Sequence, residues 1–177
     1  MSQRALETDA GAVPHLAEFA RDIRRNLAYW LFIAGRPDDG LTLLRRVCAE
    51  HSQAEGHTSL CTLAARTALA HATGQLGQPA KALELAKAVV VDCANHLGNR
   101  HEVALNSRFE MAQWTGECGD PDHAASQFRA LITDAIRALG DNHRLTLDCR
   151  DELDRLTAAA CSPPPNFLNC WLRLARW

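Results

Sequence analysis

The chain has 177 residues, enough for one domain or one short repeat array with a sizeable core. A formal net charge of −2 removes any global electrostatic case for a nucleic-acid partner or an anionic membrane surface. Seven scattered cysteines, an odd number with no CxxC pair, argue against a disulfide framework; buried free thiols in a reducing compartment explain them more simply.

In chain order, Met1 to Pro14 is polar and lacks the apolar core of a signal peptide, so residues 1–14 read as a disordered leader. The longest apolar run, Leu27 to Ala34, is far shorter than the ~20 residues of a membrane span. A cytoplasmic chain without a membrane span is the expectation. The basic residues are lopsided, seventeen Arg against Lys81 and Lys87, which with the abundant Ala suggests a GC-rich bacterial coding sequence.

Helices are expected over residues 17–34, 38–53, 59–76, 80–96, 101–118, 121–139 and 143–159. They follow a 42-residue period that needs no gaps. Arg24, Arg66, Arg108 and Arg150 recur at that spacing. So do Gly35, Gly77 and Gly119, then Pro37, Pro79 and Pro121, and then Gly56, Gly98 and Gly140. Each Gly-x-Pro supplies a helix stop followed by a residue suited to the first turn of the next helix. Leu60, Leu63, Leu69, Ala70 and Leu76 form one stripe of the first helix of a pair, and Ala82, Leu85, Ala86, Val89 and Val90 one of the second. Neither helix buries its stripe alone, so the pairs must stack.

The repeats fall at about 24–65, 66–107 and 108–149, within a domain of residues 15–159. The helix at 143–159 is unpaired and carries Asp148, Arg150, Asp151, Glu152, Asp154 and Arg155, the polar face that a solenoid end requires. Residues 160–177 depart from the pattern, with Ser-Pro-Pro-Pro and then Phe167, Leu168, Trp171 and Trp177 in a Pro-rich, Trp/Leu-containing tail.

With the register in place, the units resemble tetratricopeptide repeats of the 42-residue, kinesin-light-chain-like kind that is widespread in bacteria. The stretch Leu139-Gly140-Asp141-Asn142-His143-Arg144-Leu145-Thr146-Leu147-Asp148-Cys149-Arg150 is similar to that family's Leu-Gly-x-x-His-x-x-Thr-Leu-x-x-Arg. The copy at Leu97 to Arg108 keeps all of it but the Thr, and the copy from Gly56 to Arg66 has Ser59 in place of the His. Ala28, Ala70 and Ala112, with Gly40, Ala82 and Ala124, match the small residues where the two helices cross. The resemblance implies an all-α, right-handed α-solenoid of three helix-turn-helix repeats plus a terminal helix.

It also implies a protein- or peptide-binding scaffold that uses the concave surface of the first helices (helix A of each pair). Transferred position by position, that surface takes Asp22, Arg25, Tyr29 and Phe32, then Thr67, His71 and Gln75. It continues through Asn106, Phe109, Gln113 and Glu117 to Asp148, Asp151 and Arg155. A ligand with some positive charge would fit the acidic end. The Lys and Asn pairs with which some relatives clamp a C-terminal carboxylate are missing.

Other chemistry is expected to be absent. Cys48 with His51 and Cys93 with His96 are i, i+3 pairs, but they lie out of register with each other, and no metal or other cofactor is expected. His101 and His143 stand at helix starts, where they cap. No nucleophile motif or phosphate-cradling loop occurs, so the chain reads as no enzyme. Asp38-Asp39 and Asp151-Glu152 are placed at helix starts, where acids offset the macrodipole. The recurring Arg is assigned an architectural role, its stem along the helix pair and its fork on loop carbonyls or an acid. Two further readings compete with the scaffold. One is the sensor arm, truncated or split, of a bacterial signalling ATPase, kinase or transcription regulator; the other is self-association through the open solenoid ends.

Overall fold

The computed structural model describes residues 34–161, of 159–161 the backbone alone, together with Leu27, Ala28 and Leu31. The leader at 1–14, most of the first expected helix and the tail beyond 161 lie outside the described residues. Among the described residues there are six long helices and no strand: α1 Pro37–Glu55, α2 Leu60–Gln75, α3 Pro79–His96, α4 Glu102–Glu117, α5 Pro121–Leu139 and α6 Arg144–Cys161. Leu27, Ala28 and Leu31 are helical as well.

The breaks between helices follow from local backbone chemistry. Gly77 and Gly119 take φ of +76° and +96°, a region costly for any residue with a Cβ. That left-handed step lets the next amide bond back into the helix, Gln78 N–H to the Thr73 carbonyl at 3.3 Å and Asp120 N–H to Thr115 at 3.2 Å. Pro37, Pro79 and Pro121 then open α1, α3 and α5, where a missing N–H loses nothing. At the other junctions a side chain takes the first orphan amides. Ser59 accepts from Thr62 N–H, while His101 and His143 Nδ1 accept from Val103 and Leu145 N–H, each at 3.2 Å.

Each helix packs on the next, and α2 also packs on α4 and α4 on α6. The α2, α4, α6 series therefore lies side by side, with α3 and α5 behind it. Two of the apolar clusters show how the layers lock. Leu63, Val89, Cys93 and Ala104 join α2, α3 and α4; Leu105, Ala112, Phe128, Leu131, Cys149 and Leu156 join α4, α5 and α6. The result is an all-α repeat solenoid.

Two expectations are corrected. Leu60 is 46% exposed and does not belong to the buried stripe of α2; as the first helical residue it stands at the end of the helix, ahead of the turns that face neighbours. Asp151 and Glu152 lie in the middle of α6, which has no acid in its first turn. Glu152 instead pairs with Arg155 at 2.8 Å, so of the two expected acidic pairs Asp38–Asp39 alone stands at a helix start.

Candidate interaction face

The α2–α4–α6 face is built from positions that recur every 42 residues on adjacent parallel helices. Its tightest contact is a knob in a notch. Gly74 of α2 has no Cβ because the Trp114 indole of α4 occupies that space, 2.3 Å from where a Cβ would stand. One repeat later, Leu156 of α6 lies against Gly116 in the same relation, 3.3 Å from the equivalent point.

Beside the notch runs a polar bridge. His71 Nδ1 on α2 is 3.1 Å from Glu110 Oε1 on α4, and Glu110 Oε2 accepts from Trp114 Nε1–H at 2.9 Å. The Glu110 hydrogen bond holds the His71 imidazole above its ordinary pKa, although burial pulls the other way. The next interface carries an exposed pair, Arg155 Nη2 to Glu117 Oε1 at 3.4 Å.

The residues transferred from the family resemblance take different places. Arg25, Tyr29 and Phe32 lie outside the described residues, as do Asp22 and Arg24. Thr67 is buried and donates its hydroxyl to the Leu63 carbonyl. Phe109 is partly spent on the core, edge-on to Phe128 at 5.4 Å between ring centroids. His71, Gln75, Asn106, Gln113, Glu117, Asp148, Asp151 and Arg155 keep some or much of their surface open. The shielded Oε1 of Gln113 has no hydrogen-bond partner. The acidic end is partly neutralised within the chain, because Arg155 reaches Glu117 and Arg144 Nε lies 3.5 Å from Asp148.

Glu110 and Trp114 were not among the expected residues. The signal was available: His71, Gln113 and Arg155 share one register column, and Ala68, Glu110 and Glu152 share another one turn earlier. An acid 39 residues beyond His71 thus meets it across the helix pair.

The recurring Arg side chains bind at the edge of this face. Arg66 Nη1 donates to the His57 carbonyl at 3.3 Å and to Asp92 Oδ2 at 2.7 Å. Arg108 Nη1 does the same to Asn99 at 3.2 Å and Asp134 at 2.9 Å. Arg150 reaches the carbonyl and carboxylate of Asp141. Burial alone would raise the Asp134 carboxyl, but the Arg108 and Arg100 guanidiniums hold it below the usual carboxylate range. Burial pushes the thiols of Cys48 and Cys149 up to about 11 and about 12, and that of Cys93 upward, so none is primed as a nucleophile.

Helix pairs stacked in register, with one face shared by α2, α4 and α6, define an α-solenoid. Residues 62–102 match the family model of the tetratricopeptide repeat. A kinesin-light-chain-like protein of Podosopora anserina, built of nearly identical TPR-like repeats, is similar at 25% identity with a TM-score of 0.70. That match covers 78% of this chain and 66% of the other, and a point variant of the same protein matches equally. BtubC (BKLC) from P. vanneervenii, at 15% identity and a TM-score of 0.57, shares the fold over 82% of this chain and 66% of its own. The chain thus spans just under two thirds of the length of these solved structures. No curated protein matches it significantly in sequence. Residues 62–102 thus match a tetratricopeptide repeat, and the helix stack around them is similar to kinesin-light-chain-like repeat proteins. Repeats of this family generally mediate protein–protein interaction.

Proposed function

We propose that the chain is a scaffold that holds a protein or peptide on the α2–α4–α6 face. The observation that carries the reading is the direct packing of α2 on α4 and of α4 on α6, which joins their outward positions into one continuous surface. Along it, the half-buried Asn106 and Gln113 offer side-chain amides that can hold a peptide backbone. No described helix is long and apolar enough to cross a membrane. No observation favours the regulatory-arm reading.

The test is affinity capture from the native lysate with three baits. They are the wild type, an N106A/Q113A variant, and a control with E84A and K87A on the exposed side of α3. A partner retained by wild type and control and lost by N106A/Q113A supports the assignment. Equal capture by all three baits moves the binding surface elsewhere.

A further inference from the structure

The junction between α1 and α2 differs chemically from the two junctions that repeat it. At positions 93, 97 and 103 the second junction has Cys, Leu and Val, all in one apolar cluster. At 135, 139 and 145 the third has Ala, Leu and Leu, which are likewise buried or packed on the core. The first has His51, Glu55 and Cys61 at the same three places. A plug of three apolar residues in two copies, one of them a lone buried Cys, is a nitrogen, an oxygen and a sulfur donor at the first junction.

These donors converge. His51 Nδ1, a Glu55 carboxylate oxygen and Cys61 Sγ all lie within 4.8 Å of one another. His51 and Glu55 sit four apart at the end of α1 and so share a face, while Cys61 enters from the first turn of α2. His51 is only 1% exposed, and its Nδ1 makes no hydrogen bond, although Glu55 Oε1 stands 3.5 Å away. A buried imidazole nitrogen without a partner is costly, and the apolar residues of the sister copies would have avoided that cost.

We infer that His51, Glu55 and Cys61 form a divalent-cation site of the zinc class, with water as the fourth ligand, that ties α1 to α2. Imidazole, carboxylate and thiolate together suit a borderline ion such as Zn2+. Around a tetrahedral zinc such donors lie about 3.3–3.8 Å apart, given metal–ligand bonds of about 2.0–2.3 Å. The His51–Glu55 separation already meets this, and a side-chain shift of about an ångström brings in the third donor. Nδ1 ligates when the imidazole proton is on Nε2, and Cys61 gives up its thiol proton to solvent as the ion binds. The Glu55 side is open to solvent, which provides the ion's way in and room for the water. The expectation of a metal-free chain rested on Cys48 and Cys93; the set that converges uses neither.

Co2+ titration of the full chain under a phosphine reductant tests this, with Co2+ as the spectroscopic stand-in for Zn2+. One ion per chain should bind, with a thiolate-to-cobalt charge-transfer band in the near ultraviolet. C61V and E55L write in the residues of the second copy, H51A that of the third, and C61S keeps the size of the thiol. The band should vanish in C61V and C61S. Loss of an outer-shell partner alone weakens binding about 10- to 100-fold, so E55L and H51A should weaken it by at least about 100-fold. Zn2+ should raise the melting temperature of wild type and leave that of C61V unchanged. Absence of the band in wild type, its persistence in C61S, or an equal Zn2+ effect on C61V overturns the assignment. Binding confined to the exposed Cys118 would show itself as that persistence.

Discussion

Replacing Arg108 with Ala removes two interactions at once, the carbonyl bond to Asn99 and the ion pair with Asp134. The pair is largely shielded, at 18% and 24% side-chain exposure. Hydrogen bonds to charged groups are worth about 1.5–3 kcal/mol when shielded, against about 0–1 kcal/mol for exposed ion pairs. Asp134 keeps Arg100 at 3.3 Å, so it is not left as a bare buried charge. Arg108→Ala should therefore cost about 2–3 kcal/mol.

The sister positions grade the effect. Arg66 with Asp92 is somewhat more open, at 25% and 32%, and Arg66→Ala should cost about 2 kcal/mol. Arg150 with Asp141 is open, at 38% and 62%, and its loss should cost less than about 1 kcal/mol. Urea unfolding of the three variants, with a double-mutant cycle of R108A and D134A, measures the ranking and a coupling of about 1–2 kcal/mol. Equal losses in R108A and R150A, or a coupling below about 0.5 kcal/mol, would refute the assignment of the energy to the shielded pair. The pH dependence has a definite sign. Asp134 is held low when folded, so its contribution is present above the unfolded carboxylate pKa and is lost as pH falls through the folded value. R108A should flatten that acid limb.

Further outcomes follow from the same contacts. Gly74→Ala should destabilise by about 1–3 kcal/mol and shift Trp114 fluorescence, because its Cβ would fall inside the indole. Gly116→Ala meets Leu156 Cδ2 at 3.3 Å, tighter than an ordinary contact, and the small shift this asks of a flexible Leu end offsets up to about 1 kcal/mol of helix propensity, so its melting temperature should fall far less than that of Gly74→Ala. His71, whose pKa is raised mainly by Glu110, adds stability that is complete below its unfolded pKa and fades as pH rises through the folded one. An NMR titration of the His71 ring protons should show the raised midpoint in wild type and a lower one in E110Q. Unchanged midpoints would mean that the His71–Glu110 contact does not form in solution.

How far each feature was legible depends on the range over which its cause acts. Gly77, Gly119 and the prolines after them end and start helices through their own φ angles and missing amides. Those causes sit within a few residues, so the 42-residue register and the helix boundaries could be read directly from the chain. The capping roles of His101 and His143 are equally local.

The interaction face and the α1–α2 junction were only partly legible, because their contacts join positions about 40 residues apart or depend on where a side chain ends up. The register put His71 and Gln113 on one face, but the separation of α2 and α4 decided that His71 meets Glu110 and that Trp114 fills the notch at Gly74. It put Phe109 on the same face, and packing turned its ring partly inward onto Phe128. His51, Glu55 and Cys61 look like unrelated polar substitutions along the chain, and no single spacing links them as a ligand set. Amino-acid order alone settled that this is a stack of helix pairs with a 42-residue period, since backbone geometry and hydrophobic period are local properties. Which polar groups face one another, and which are left buried without a partner, was decided by the tertiary structure, because helix-to-helix distances of a few ångströms govern every hydrogen bond between them.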